Sequence, residues 1–324
     1  MEYTTLGSTG MEVSRICLGC MSFGSDREWM LDAEEGRELV ERAIDLGVNF
    51  FDTANAYSAG ESEQILGDVL ADYDRDEQVV ATKVRFPGAD DHRNARGLSR
   101  KTIEQELENS LDRLGMDTVD LYQIHRWDYD TPIETTLRAL DDAVRRGRVR
   151  HIGASSMWAR QFQRALQISD REGLARFETM QDLHHLTYRE EEREMLPLCD
   201  RENVGVIPWS PLGAGYLTRP HEEFTATTRG VHENENAEVP YDEGPGSKEI
   251  NERVQELAAD YGVTMAQIAL AWHFENGDTT APILGTSSIE HLEEAVEALE
   301  IDLTASDVTY LEEPYEPVPV YGHE

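Results

Sequence analysis

The residues whose types and spacing could do chemistry are Asp52, Tyr57, Lys83 and His125. An acid, a phenol, an ammonium and an imidazole brought together form a set able to hold and pass protons. Asp52 closes the apolar run Val48–Asn49–Phe50–Phe51–Asp52, which then enters a small polar loop carrying Tyr57. Lys83 closes Val79–Val80–Ala81–Thr82–Lys83, and His125 closes Val119–Asp120–Leu121–Tyr122–Gln123–Ile124–His125. A short apolar run ending in one polar group is how a buried strand delivers chemistry at its C-terminal end. The three runs lie about one strand-plus-helix unit apart. In a parallel barrel, consecutive strand ends share one mouth, and catalytic groups are drawn from them. A buried Asp–Lys pair and a satisfied core histidine would serve structure alone, but three consecutive strand ends plus a loop tyrosine favour a site. Apart from Lys83 the chain has kept only Lys101 and Lys248, which adds weight to the lysine.

The elements that must position these residues follow from periodicity. Residues 2–14 read as a hairpin around Gly7–Ser8–Thr9–Gly10. Ile16–Gly19 is the first barrel strand, followed by a helix-period segment over Glu34–Leu46 that stops at Gly47. The alternation continues with a helix from Glu63, a strand at 79–84, a long helix from Ser99 to Leu114, and the strand at 119–125. A helix near Pro132, placed at the first helical position, comes next. Then follow strand 148–155, helix Trp158–Arg171, strand Phe177–Leu183, helix Glu191–Arg201, strand Val204–Trp209 and strand Ala281–Leu284. Eight such alternations after a leading hairpin favour an α/β fold, a (β/α)8 TIM barrel, over a doubly wound open sheet, as one domain over residues 1–324. Residues 218–247 form a long aperiodic loop after strand seven, on the side where a site would lie. Two extra helices, Ile250–Tyr261 and Met265–Asn276, precede strand eight. The tail from Leu303, with Pro314, Pro317 and Pro319, reads as an extended arm.

Composition narrows the function classes. The chain has 65 acidic residues against 29 Lys plus Arg, a formal net charge of −36 over 324 residues. That field repels nucleic acid and anionic membranes, so neither is expected as a partner. The acids are spread along helical segments, and with lysine nearly discarded the pattern resembles proteins of salt-loving organisms with a salt-rich cytoplasm. Self-repulsion would then weaken the fold at low salt. No apolar run of membrane length occurs, the N-terminus lacks a signal core, and three cysteines suit a reducing compartment, so a cytoplasmic location is expected.

Other motifs are weaker. Cys17–Leu18–Gly19–Cys20 has redox spacing but sits on a strand, where it reads as two small core residues. Adjacent His184 and His185 would point to opposite faces of a strand and cannot ligate one ion from regular geometry. No metal-ligand spacing occurs, so no metal is expected and a metal-dependent barrel hydrolase is disfavoured. No GxGxxG fingerprint is present either, so a nucleotide would bind without a Rossmann loop.

The segment Gly47–Tyr57, with Gly60–Gly67 behind it, resembles the aldo-keto reductase signature. The resemblance continues through Ala81–Lys83, Leu121–His125, Ile152–Ser156, Trp209–Leu217, Ile283–Ser288 and Glu290–Glu294, in the family's order over nearly the whole chain. It implies a (β/α)8 barrel closed at its base by the hairpin and a catalytic tetrad of Asp52, Tyr57, Lys83 and His125. A nicotinamide cofactor would donate hydride to an aldehyde or ketone, small or aromatic, or accept it from the alcohol. Tyr57 would be the general acid, its ionised form favoured by the Lys83 cation. Asp52 would hold Lys83, and His125 would help fix the carbonyl oxygen.

The resemblance also implies cofactor contacts. Ser155, Ser156 and Gln181 would bind the carboxamide, and Trp209 would stack on the nicotinamide. The loop of Ser210, Pro211, Leu212, Gly213, Gly215 and Leu217 would hold the pyrophosphate through backbone amides. Gly19 and Met21 lie at the first strand end. Gly285, Thr286, Ser287, His291 and Glu294 form the adenosine end, with Arg219 able to reach across. Trp29, Trp127 and the 218–247 loop would shape the substrate pocket. The family usually has Asn at positions 156 and 182, and Tyr–Asn at 184–185. The basic clamp for a 2′-phosphate is replaced by His291, and no Lys or Arg follows Arg253. NADPH is therefore expected with modest selectivity, NADH also being used. The alternative is a regulatory barrel that binds cofactor with little turnover, similar to potassium-channel β subunits; the intact tetrad favours the enzyme.

Overall fold

The computed structural model describes residues 1–324 apart from 26, 28, 90, 91, 227–238, 276 and 324. Strands β1 (Tyr3–Thr5) and β2 (Glu12–Ser14) form an antiparallel hairpin. Eight parallel strands follow: β3 (Cys17–Gly19), β4 (Phe50–Asp52), β5 (Val79–Val84), β6 (Val119–Ile124), β7 (Val149–Ser155), β8 (Phe177–Gln181), β9 (Gly205–Val206) and β10 (Ile283–Leu284). Their order is β10-β3-β4-β5-β6-β7-β8-β9. The ends of the sheet meet where Thr280 N donates to Val206 O at 2.8 Å and Ile283 N to Pro208 O at 2.8 Å. This is the expected (β/α)8 architecture.

Side chains alternate along each strand and so sort into two cores. Phe51, Val80, Tyr122, Ile124 and Met180 point outward into a large cluster under the surrounding helices. Phe50, Val79, Ala81 and Leu121 point inward, where Leu6 and Val13 from the hairpin join them and plug the barrel base. Gly7, in the hairpin turn at φ 53°, lets the chain approach closely, because a Cβ there would lie 2.5 Å from Glu178 O.

The outer layer consists of α1 (Ala33–Asp45), α2 (Glu61–Leu70), α3 (Arg100–Leu114), α4 (Ile133–Arg145), α5 (Ala159–Glu172) and α6 (Met195–Glu202). Asp32 and Glu35 form a capping box on α1, Ser99 caps α3, and Gly115 in the left-handed region ends it. After β9 come α7 (Ser247–Tyr261), α8 (Met265–Glu275), α9 (Ile289–Glu297) and α10 (Ala305–Glu312). Helices α7 and α8 build a second cluster with Tyr216 and Leu217 from the loop after β9.

The structure corrects several sequence expectations. The tail from Leu303 is not extended throughout: Thr304 and Asp307 form a capping box and start α10, and only the proline-bearing residues beyond it lack helix. Strands seven and eight are shorter than expected. Pro208 and Pro282 have no N–H to continue a ladder, although Ile207 N and Trp209 N still bond Met180 O and Asp182 O at 2.9 Å. Pro132 is the cap residue of α4, just outside its first helical position. Of the long loop 218–247, residues 227–238 lie outside the described residues; the rest includes a 3-10 turn at His221–Ala226.

Candidate active site

Period-two alternation brings the chemistry to one mouth. Asp52 shares the inner face with Phe50, Lys83 with Ala81, and Gln123 and His125 with Leu121. Lys83 is fully buried, and its Nζ donates to Asp52 Oδ2 at 2.5 Å, Thr53 O at 2.9 Å and Tyr57 Oη at 3.0 Å. Burial opposes the ammonium charge, but the Asp52 carboxylate and the Tyr57 hydroxyl outweigh it, so the lysine pKa lies above its ordinary value. It stays a cation with all three donors used.

Tyr57 is aimed by a strained turn. Ser58 and Ala59 adopt φ 45° and 52°, uncommon for residues with a Cβ. Ser58 Oγ secures the turn on Phe23 O at 3.0 Å, and Gly24 leaves the room, since a Cβ there would meet Ser58 Oγ at 2.2 Å. Thr53 and Ser62 hydroxyls bond at 2.8 Å and tie β4 to the start of α2.

The His125 ring packs edge-on to Tyr57 at 5.7 Å and to Phe86 at 5.1 Å. Burial, then the charges of Lys83, Arg126 and Arg85, push its pKa well below the ordinary value. It is a neutral imidazole near pH 7, suited to a hydrogen bond and not to ionic pairing.

A cavity of about 440 Å³ opens above these groups and runs away as a groove. Tyr57, His125 and Trp209 line its inner end. Ser210, Gly213, Ala214 and Gly215 all have positive φ, the backbone pattern of an anion-cradling loop. At the far end Thr286, Ser287 and His291 lie by the start of α9, with Arg219 on the opposite loop. An aromatic end, a looped backbone middle and a polar far end fit the parts of a dinucleotide in order.

A family model described as the aldo/keto reductase family matches residues 15–316. The chain belongs to the aldo/keto reductase family. A Schizosaccharomyces pombe protein bearing an aryl-alcohol dehydrogenase name is 41% identical, covering 99% of this chain and 97% of its own. Versiconal hemiacetal acetate reductase of Aspergillus parasiticus is 39% identical over 100% of both chains. An Alternaria alternata protein named as an aldo-keto reductase is 38% identical, covering 99% of this chain and 93% of its own. The chain is an enzyme, a nicotinamide-dependent oxidoreductase of small carbonyl or alcohol compounds.

Within this reductase, Gly19, Met21 and Gln181 lie on the cavity wall, as do Pro211, Leu212 and Gly215. Gly285 and Glu294 complete its far end. Ser155 and Ser156 are buried behind the wall: Trp209 Nε1 donates to Ser156 Oγ at 3.1 Å, and Ser155 Oγ to Gln181 O at 2.8 Å. Gly213 and Leu217 shape the loop without lining the cavity. Trp29 and Trp127 do not line it either; Trp127 packs on the outer core. Cys17 and Cys20 are buried free thiols, raised in pKa by burial. His184 bonds Glu192 at 2.9 Å and His185 bonds Thr187 at 3.0 Å, so the two rings go to different partners. No group of metal-ligating side chains occurs among the described residues.

The sequence reading missed Arg126. Its guanidinium lines the cavity, lies 5.6 Å from the Trp209 ring and bonds Ser155 Oγ at 3.2 Å. It stands next to His125, and that adjacency was the one available signal. Thr218 and Phe224 come from the 218–247 loop expected to shape the pocket and do line it, though no periodicity singled out these two residues.

Proposed function

We propose that this reductase converts aldehydes or ketones, small or aromatic, to alcohols with NADPH, and that Tyr57 is its general acid. One observation carries the assignment: Tyr57 Oη sits at the cavity's inner end, 3.0 Å from a Lys83 ammonium that is itself 2.5 Å from Asp52. The cofactor, when bound, supplies the hydride. Tyr57 gives its proton to the carbonyl oxygen as negative charge develops there, and the adjacent ammonium stabilises the phenolate left behind. Asp52 keeps Lys83 charged and aimed. His125, being neutral, donates a hydrogen bond to the same oxygen. Trp209 offers a flat face for the nicotinamide, and the loop from Ser210 to Gly215, left-handed at Ser210, Gly213, Ala214 and Gly215, cradles the pyrophosphate. Ser155 and Ser156, behind the wall, would give up their bonds to Gln181 O and Trp209 Nε1 to reach a carboxamide.

For the 2′-phosphate, Arg219, His291, Thr286 and Ser287 share one end of the groove, which supports NADPH with modest selectivity and measurable use of NADH. We read the acidity, −36 over the chain, as adaptation to a salt-rich cytoplasm, and residues 1–324 as one barrel unit. The named relatives are reductases and a dehydrogenase, which supports turnover over the regulatory alternative.

A panel of aliphatic and aryl carbonyls, assayed with NADPH and NADH in molar KCl, tests the reading together with Tyr57→Phe. Losing the acid lowers turnover on the order of 100-fold or more while cofactor affinity stays within a few-fold. Wild-type turnover in the variant would remove Tyr57 from the role.

A further inference from the structure

Asp52 is held by more than its lysine. Oδ2 takes Lys83 Nζ, while Oδ1 accepts Gln123 Nε2 and Gln181 Nε2, each at 2.9 Å. The two glutamines also meet, Gln181 Nε2 donating to Gln123 Oε1 at 3.3 Å. Gln123 is fully buried on β6, paired in register with Lys83 and two residues before His125, so it shares their inward face. It is not on the cavity wall, and Gln181 is.

The inventory of donors and acceptors fixes how Gln181 must stand. An amide has two N–H donors on one side and a carbonyl on the other. Its N–H groups face the Asp52 carboxylate and the Gln123 carbonyl. Turning the amide over would set its oxygen against two acceptors, so the network selects one orientation. The Gln181 carbonyl oxygen is then the atom left to face the cavity, and no described residue bonds it.

We propose that Gln123 is a positioning residue, joining Asp52 Oδ1 and the Gln181 amide in one network so that Gln181 Oε1 is presented as an acceptor for the N–H of the nicotinamide carboxamide. The inference rests on the cofactor reading above and extends it to a buried residue that touches neither cofactor nor substrate. The same contact gives Asp52 a third donor, so proton delivery through Lys83 and Tyr57 and recognition of the ring's amide share one set of hydrogen bonds. An apolar residue at 123 would leave Gln181 held through one N–H on Asp52 alone, so the amide could swing about that single contact and carry its oxygen off the cofactor position. A glutamate at 123 would still present acceptors to Gln181 but would set a second carboxylate against Asp52.

The test uses NADP+ and its 3-acetylpyridine analogue, which keeps the ring carbonyl and lacks the N–H. Dissociation constants are read by quenching of tryptophan fluorescence. Wild type favours the carboxamide form by about tenfold, the value of one well-placed hydrogen bond. Gln123→Met, similar in volume, loses that preference to within about twofold. Gln123→Glu keeps the preference but gains a limb in the kcat pH profile that wild type lacks, from the new carboxyl beside Asp52. A Gln123→Met that keeps the tenfold ratio and the wild-type pH profile, changing only its melting temperature, would make Gln123 a core filler and overturn the proposal. If the Met variant fails to fold, the Glu variant decides alone, and loss of the ratio there overturns the orientation argument. A wild type that binds both dinucleotides but reduces no carbonyl would sink the reductase reading while leaving the binding ratio to judge Gln123.

Discussion

Glu191 offers a stability prediction with a worked magnitude. Its carboxyl is almost wholly buried, with Oε1 3.1 Å from His323 Nε2 and 3.5 Å from the Tyr188 hydroxyl. Burial pushes its pKa from 4.5 up to about 8; the Tyr188 hydrogen bond opposes the rise and the Glu190 charge adds to it. The folded protein thus holds a proton that the unfolded chain releases between those two values. Stability from this group is fully present below pH 4.5, falls as pH rises through the window, and is flat above about 8. Each unit in the window costs about 1.4 kcal/mol, so about 3 kcal/mol is lost by pH 7 and about 4 kcal/mol by pH 8. Glu191→Gln keeps the shape and cannot titrate. Allowing about 1 kcal/mol for altered hydrogen bonds, the variant should match wild type near pH 5 and exceed it by about 2 kcal/mol at pH 7. Urea unfolding at constant KCl and pH 5, 6, 7 and 8 measures the difference, with other titrating groups largely cancelling between the two proteins. A difference that does not grow with pH would show that burial does not hold this carboxyl protonated.

Three further outcomes are expected. Lys83→Met leaves Asp52 buried with its two amides and no cation; urea unfolding should show a loss of about 3–5 kcal/mol, and turnover should be crippled. A loss under 1 kcal/mol would mean the pair is not a tightly held ionic contact. With −36 formal charge, the melting temperature should climb as KCl rises to about molar concentration; a curve flat from dilute buffer upward would detach the acidity from salt adaptation of the fold. His291→Ala should reduce any NADPH advantage over NADH in steady-state constants. A thousandfold NADPH preference unchanged in the variant would place the phosphate clamp elsewhere, with Arg219 the next residue to replace.

The tetrad was legible because its cause is local. Phe50 and Asp52, and Ala81 and Lys83, stand two apart on short apolar runs, and Leu121 and His125 four apart; a strand must send residues at such even spacings to the same face. Eight alternations of run and helix then favour a closed ring, with these ends side by side, over an open doubly wound sheet. The short β9 and β10 were not legible, because Pro208 and Pro282 end regular pairing while the chain continues extended. Nor was α10, whose capping box at Thr304 and Asp307 precedes only a short helix and was hidden by the prolines that follow it. Sequence by itself determined which residue types reach the barrel mouth, since that depends on the pleat within each strand. Only the tertiary structure decided what they meet there. Gln123 and Gln181 converge on Asp52 from positions 71 and 129 residues away, and Glu191 is met by His323 from the far end of the chain. Such contacts have no periodicity to announce them, because they are set by how strands close into a ring and not by the pattern along any one of them.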